Sequence, residues 1–243
     1  MAVEAAGERR GPDRAGAHLT VLIVFARAPS ASGKTRLTSH LTLEQARALR
    51  TALLLDTLDI ARSIGVSVCV RYTPSDAREE MAALVGDVML APQTDDDLGA
   101  RMLHAVSSSF AGGASALVLI GSDLPTLPPD YLIAAFRRLE TADCVFGPAD
   151  DGGYYLVGLS RRAMKISEDE TRVARLFTHI EWGTHSVLQQ SLAAARDAGL
   201  SAELLPSWYD VDHFDDLTRV GADTQAPAVR TRGWCRRFST AKR

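Results

Sequence analysis

Runs of Val, Ile and Leu punctuate the chain at 19–26, 66–72, 88–90, 116–121, 143–146 and 154–159. Most are apolar throughout rather than alternating, which is the pattern of strands buried on both faces of a sheet. Between them the apolar positions take helical spacing. Thr42 and Gln45 form a capping-box pair that opens a helix to about Ile64, where Gly65 stops it. A helix over 98–110 follows three aspartates, which suit a helix N-terminus. Pro128 or Pro129 opens another, ending near Glu140. Thr184 is placed to cap one more, running to about Ala198 and closed by Gly199. Strands alternating with helices predict an α/β fold, a single three-layer α/β/α domain around a mixed, mostly parallel central sheet. Ligands of such sheets sit beyond the carboxyl ends of the strands, so the loops that follow strands are where chemistry belongs.

Composition narrows the class. The chain has 243 residues, 46% apolar and 23% charged, an ordinary globular balance, with a net charge of -3 that gives no reason to expect nucleic acid. The three cysteines are widely separated and odd in number, which points to buried thiols in a reducing, cytoplasmic setting. No apolar run approaches the roughly 20 residues that span a bilayer. Residues 1–17 read as a flexible N-terminal segment, 18–222 as the domain, and 223–243 as a basic tail. That tail carries six basic residues and no acid after Gln225, and such tails are usually solvated. The six histidines show no metal-ligand spacing, and His213 beside Asp212 reads as a solvated or capping residue.

Four loops offer chemistry. The first, at 28–35, reads A-P-S-A-S-G-K-T, one residue from the P-loop pattern. Its first glycine is replaced by Ala28, Pro29 follows, and the long helix starts only after Thr42, so a P-loop is disfavoured. Lys34 and Arg36 remain two cations able to meet phosphate, or a solvated pair on a surface loop. The second loop follows an apolar strand with Gly121-Ser122-Asp123-Leu124-Pro125. Asp123 can bind a metal beside a phosphate or simply cap the following turn. The third has Asp150-Asp151-Gly152-Gly153-Tyr154-Tyr155, a close backbone approach to a ligand or a plain hairpin turn. The fourth, Trp208 to Leu217, places Asp210 and Asp212 two apart, hence on one face if extended, so that one of them can join Asp123 at a metal. Asp212 can also cap a helix beginning near Phe214. A further acidic turn leads through Asp97 to Arg101 and reads most simply as a helix start.

Together and in this order these segments resemble a bacterial family with the glycosyltransferase-A fold, labelled arsenosugar-biosynthesis-type glycosyltransferases and related to the guanylyltransferases that activate phospholactate. The resemblance rests on Phe25-Ala26-Arg27-Ala28-Pro29, Lys34-Thr35-Arg36-Leu37, Asp97-Leu98-Gly99 with Arg101-Met102, and Gly121 to Pro125. It continues through Pro148-Ala149, Asp151 to Leu156, Trp182-Gly183-Thr184, and Asp210-Val211-Asp212 with Asp216-Leu217, and so covers about 19–220. Ser122 stands where the family motif more often has threonine, and the first loop is one residue shorter than the family form.

The resemblance implies a nucleotide site over the first strands. Ala26, Arg27, Lys34, Arg36, Asp97 and Arg101 would bind nucleotide and phosphate, and Asp123 with Asp212 would hold Mg2+ or Mn2+. Asp151, Gly152, Gly153, Tyr154, Trp182 and Thr184 would line the sugar or acceptor side, with Lys34, Asp123 and Asp151 catalytic. The activity it implies is a metal-dependent transferase with a nucleotide-sugar donor, a glycosyltransferase of unknown acceptor. The first alternative is a nucleotidyltransferase that activates a small phosphorylated acceptor with release of pyrophosphate. The second is an inactive nucleotide-binding protein.

Overall fold

A computed structural model of the chain describes residues 19–32, 35–94, 97–164 and 171–241. In chain order the elements are β1 (Thr20–Arg27), α1 (Thr35–Thr38), α2 (Leu43–Ser63), β2 (Ser67–Thr73), α3 (Arg78–Val85), β3 (Met89–Pro92), α4 (Leu98–Ala111), β4 (Ala116–Gly121) and α5 (Pro129–Arg138). There follow β5 (Cys144–Pro148), β6 (Tyr154–Ser160), a short 3-10 turn (Arg161–Met164), α6 (Thr171–Ala174), α7 (Val187–Asp197), β7 (Ala202–Leu204), α8 (Phe214–Ala222) and α9 (Val229–Ala241).

The strands form one sheet in the order β3-β2-β1-β4-β6-β5-β7. All neighbours run parallel except β6, which is antiparallel to both β4 and β5. The reversal follows from the connection. β5 and β6 are joined by a tight turn at 149–153, and only antiparallel strands can be joined so briefly. Successive residues of β1 and β4 alternate between the faces. Leu22, Val24, Val118 and Ile120 pack under α2, α3 and α5, while Ile23, Leu117 and Leu119 pack under α4 and α7. Each such side chain, fully buried, contributes about 1.5–3 kcal/mol. The sandwich of helices on both faces explains the unbroken apolar runs.

The α2 capping box is present, with Gln45 N donating to Thr42 Oγ1 at 3.2 Å and Thr42 N to Gln45 Oε1 at 2.9 Å. Thr184 does not cap α7. Its hydroxyl donates to Glu181 O at 2.8 Å, closing the turn before, and the helix begins at Val187. Asp212 does not cap α8 either. The Asp216 carboxylate accepts from Asp212 N at 3.0 Å and His213 N at 2.7 Å.

The basic tail is not a solvated strand of charge. Val229–Ala241 is a helix docked on α2 and α8, with Trp234 5% exposed inside a third cluster that includes Leu49, Leu53, Leu217 and Val220. Phe238, one turn on, stacks on Trp234 with ring centroids 4.9 Å apart. Asp56 of α2, wholly buried, accepts from Arg230 N at 3.1 Å, Thr231 N at 2.8 Å and Arg230 Nη1 at 3.1 Å. A buried carboxylate at a helix N-terminus meets both orphan N–H groups and the positive end of the helix dipole. Charge counting overlooked the tail's apolar stripe at helical spacing.

Candidate active site

The C-terminal end of β1 turns through Pro29 and Ser30. Glu80 of α3 accepts from Ser30 N at 3.1 Å and from the Ser30 hydroxyl, and pairs with Arg47 at 3.2 Å. Arg50 of α2 donates to Pro29 O at 3.1 Å, and Arg27 donates to Ser32 O at 3.2 Å. The loop is therefore held by two helices before any ligand arrives. Arg50 sits partly desolvated beside Arg27. Burial first, and the neighbouring positive charge second, lower its pKa, with Glu80 opposing. Gly33 and Lys34 lie outside the described residues, and so do the side chains of Thr35, which opens α1, and of Arg36.

A cavity of about 220 Å³ lies over the ends of β1, β2 and β4, lined by Ala26, Arg27, Arg50, Thr73, Gln93 and Arg101, and floored by Gly121, Ser122 and Asp123. The Gln93 side-chain amide donates to Arg71 O at 2.7 Å and Ala26 O at 3.4 Å, fixing its orientation at the cavity edge. Asp97 does not line this cavity. Its carboxylate accepts from Ala100 N at 2.9 Å and caps α4.

Asp123 follows β4. A Cβ on Gly121 would stand 2.4 Å from Asp123 Oδ1, so a side chain there would displace the carboxylate. Leu124 N donates to the buried Thr57 hydroxyl at 3.1 Å, and Val211 N donates to Asp123 O at 2.9 Å. That second bond draws the 210–212 segment against the loop. Carboxylate oxygens of Asp123, Asp210 and Asp212 then lie within 4.8 Å of one another, each residue half-buried. Oxygen-only donors crowded this way fit a hard divalent cation such as Mg2+ or Mn2+. The spacing of Asp210 and Asp212 suggested one partner for Asp123; the structure supplies both.

A second cavity, about 330 Å³, shares Phe25, Leu98, Gly121 and Asp123 with the first and also reaches Asp210. Its far wall comes from Asp151, Gly153, Tyr154, Trp182 and Thr184. Tyr154 meets Trp182 edge-on with centroids 6.3 Å apart. Burial pushes the Tyr154 hydroxyl well above its ordinary pKa, so the aromatic part of this wall stays neutral and Asp151 is its charged group. Asp151 accepts from Gly153 N at 2.9 Å. Gly152 lines neither cavity but sets the turn. Its φ is +89°, and a Cβ would lie 2.1 Å from His185 O, so only glycine fits between this turn and the start of α7. Sequence reasoning missed Arg50 and Gln93, which sit in no motif. It quoted Asp216 only as part of one, although Asp216 holds the backbone of Asp212.

A mixed sheet with one reversed strand, and a carboxylate cluster joining two cavities beyond its carboxyl ends, define an enzyme of the nucleotide-diphospho-sugar transferase superfamily. Within it, the chain belongs to the DUF2064 family, described as an uncharacterized protein conserved in bacteria, which matches residues 56–184. It is 27% identical over 190 residues to 2-phospho-L-lactate guanylyltransferase of Archaeoglobus fulgidus, covering 77% of each chain. It is 32% identical over 156 residues to phosphoenolpyruvate guanylyltransferase of Mycobacterium leprae, covering 56% of this chain and 72% of that one. A crystal structure from Desulfovibrio desulfuricans G20, provisionally named a nucleotide-diphospho-sugar transferase, superposes with a TM-score of 0.76 at 29% identity, covering 90% of this chain and 97% of the other. Among the described residues no helix is long and apolar enough to cross a membrane.

Proposed function

We propose that the protein is a nucleotidyltransferase that joins a nucleoside monophosphate to a phosphate-monoester acceptor and releases pyrophosphate. The observation that carries the reading is the meeting of an arginine-lined cavity and a separate acceptor-sized cavity at Asp123. The guanylyltransferase relatives support nucleotidyl over glycosyl transfer, and guanosine triphosphate as the first donor to test. The sugar-donor reading implied by the family label gives way to this one.

Arg27, Arg50 and Arg101 bind the triphosphate oxygens and hold the α-phosphorus toward the second cavity. An oxygen of the acceptor phosphate attacks that phosphorus. The bond to the oxygen bridging α and β breaks, and pyrophosphate leaves with its electron pair. No protein nucleophile is needed, because positioning lowers most of the barrier. A divalent cation bound by Asp123, Asp210 and Asp212 supplies neutralisation of charge on the phosphate oxygens. Lys34 and Arg36 would add their charges to phosphate binding, and Asp151 takes hydrogen bonds from the acceptor rather than acting on phosphorus.

The test is pyrophosphate release from each nucleoside triphosphate with magnesium and a panel of phosphate monoesters, against release of nucleoside diphosphate from nucleotide sugars. Diphosphate from a sugar donor without pyrophosphate from any triphosphate would reject the proposal.

A further inference from the structure

The two cavities differ in charge. Three arginines line the first. Among the described residues lining the second there is no lysine, arginine or histidine, and the charged groups are the carboxylates of Asp123, Asp151 and Asp210. Asp123 and Asp210 belong to the carboxylate cluster, where on the nucleotidyl-transfer reading a cation and the acceptor phosphate would meet. Away from that end the wall includes Tyr154 and Trp182, with Asp151 the one acidic group beyond the cluster.

An anionic group on the acceptor body would have no cation to meet there among the described residues. It would shed its water against aromatic faces and stand near Asp151. An unpaired charge moved out of water is costly, and a like charge nearby adds to the cost. A flat or ring-shaped neutral body gains instead, through contact with Tyr154 and Trp182. Asp151, which accepts but cannot donate, favours hydroxyl or amine groups at the far end. At about 330 Å³ the cavity is near the lower limit of ligand sites, enough for one ring.

We infer that the acceptor is a phosphate monoester of a small, uncharged, ring-like body carrying hydrogen-bond donors, not a phosphorylated carboxylic acid. The inference rests on the nucleotidyl-transfer reading for the acceptor phosphate, and on the second cavity for the body. It separates this chain from relatives whose names specify phospholactate or phosphoenolpyruvate.

Phenyl phosphate and 4-carboxyphenyl phosphate have the same ring and differ by one carboxylate. With magnesium present, calorimetric titration of the full chain should show phenyl phosphate binding about tenfold tighter or more. Thr184 is exposed at the cavity rim, and Thr184→Arg should shrink the gap to about threefold or less by improving the carboxylated compound. Equal or tighter binding of 4-carboxyphenyl phosphate by the unaltered protein overturns the inference. Absence of binding by both compounds at millimolar concentration overturns it too. Pyrophosphate release is scored apart: preferential binding of phenyl phosphate with no pyrophosphate from any triphosphate upholds the acceptor class and ends the nucleotidyl reading.

Discussion

Val211 N donates to Asp123 O at 2.9 Å, joining two segments 88 positions apart in sequence. This bond brings Asp210 and Asp212, the residues on either side of Val211, to Asp123. The valine side chain, wholly buried in the third cluster, faces the other way and anchors the segment against α2 and α8.

The three carboxylates repel one another when no cation lies between them. Asp210→Asn should therefore leave the metal-free melting temperature unchanged or raise it, with about 1 kcal/mol of relief corresponding to about 2–4 °C in a chain of this size. The same variant should lose most of the stabilisation that magnesium or manganese gives the unaltered protein. Thermal melts with and without added metal decide it. A large fall in the metal-free protein would mean that the carboxylate is structural.

Asp216 lines neither of the two cavities and acts through backbone. Replacing it with alanine removes the bonds to Asp212 N and His213 N and should cost about 0.5–2 kcal/mol, the usual range for a lost helix cap. It should also raise the magnesium concentration needed for half-maximal activity. Asp216→Asn, whose amide oxygen can still accept, should recover most of both. A metal requirement that stays put while stability drops would limit Asp216 to a capping role.

Arg50, within α2, lines the first cavity. Arg50→Ala should weaken triphosphate binding by roughly 10- to 150-fold, from about 1.5–3 kcal/mol per charge-assisted contact. It also frees Pro29 O from its donor, so Arg50→Lys should not restore full affinity, because lysine lacks the fork that spans loop and ligand. Equal triphosphate dissociation constants in the three proteins would remove Arg50 from the nucleotide site.

The C-terminal helix makes a stability prediction. Trp234→Ala should cost about 3–5 kcal/mol in denaturant unfolding, as for large aromatic deletions in a core. Asp56→Ala should cost about 1–3 kcal/mol by leaving the N–H groups of Arg230 and Thr231 without their acceptor. A variant ending at residue 228 that melts with the full chain would refute the docking.

How much of this was legible beforehand follows from what kind of signal each part sends. The strands of the central sheet announce themselves because burial on both faces leaves no room for polar residues, as in 116–121. The capping box at Thr42 is local chemistry and reads directly. The short edge strand β7 and the short helix α3 carry too few residues to show a period. Asp123 and Asp212 stand in recognisable loops, whereas Arg50 and Gln93 occupy ordinary positions in or after regular elements, and only the tertiary fold turns them toward one space. The tail was misjudged because its six basic residues outweigh two aromatic ones in composition, while in packing Trp234 and Phe238 decide.

The reversed strand β6 has an evolutionary corollary. Among the described residues, nothing beyond Asp123 lines the arginine cavity, while the far wall of the other comes wholly from chain after residue 148. On the nucleotidyl-transfer reading, drift in the β5–β6 turn or at the start of α7 would retune which acceptor is chosen without disturbing how the nucleotide is gripped. Paralogues of this chain should diverge in the second stretch and stay alike in the first, and a recombinant joined in the β4–α5 connection would inherit its donor from one parent and its acceptor from the other.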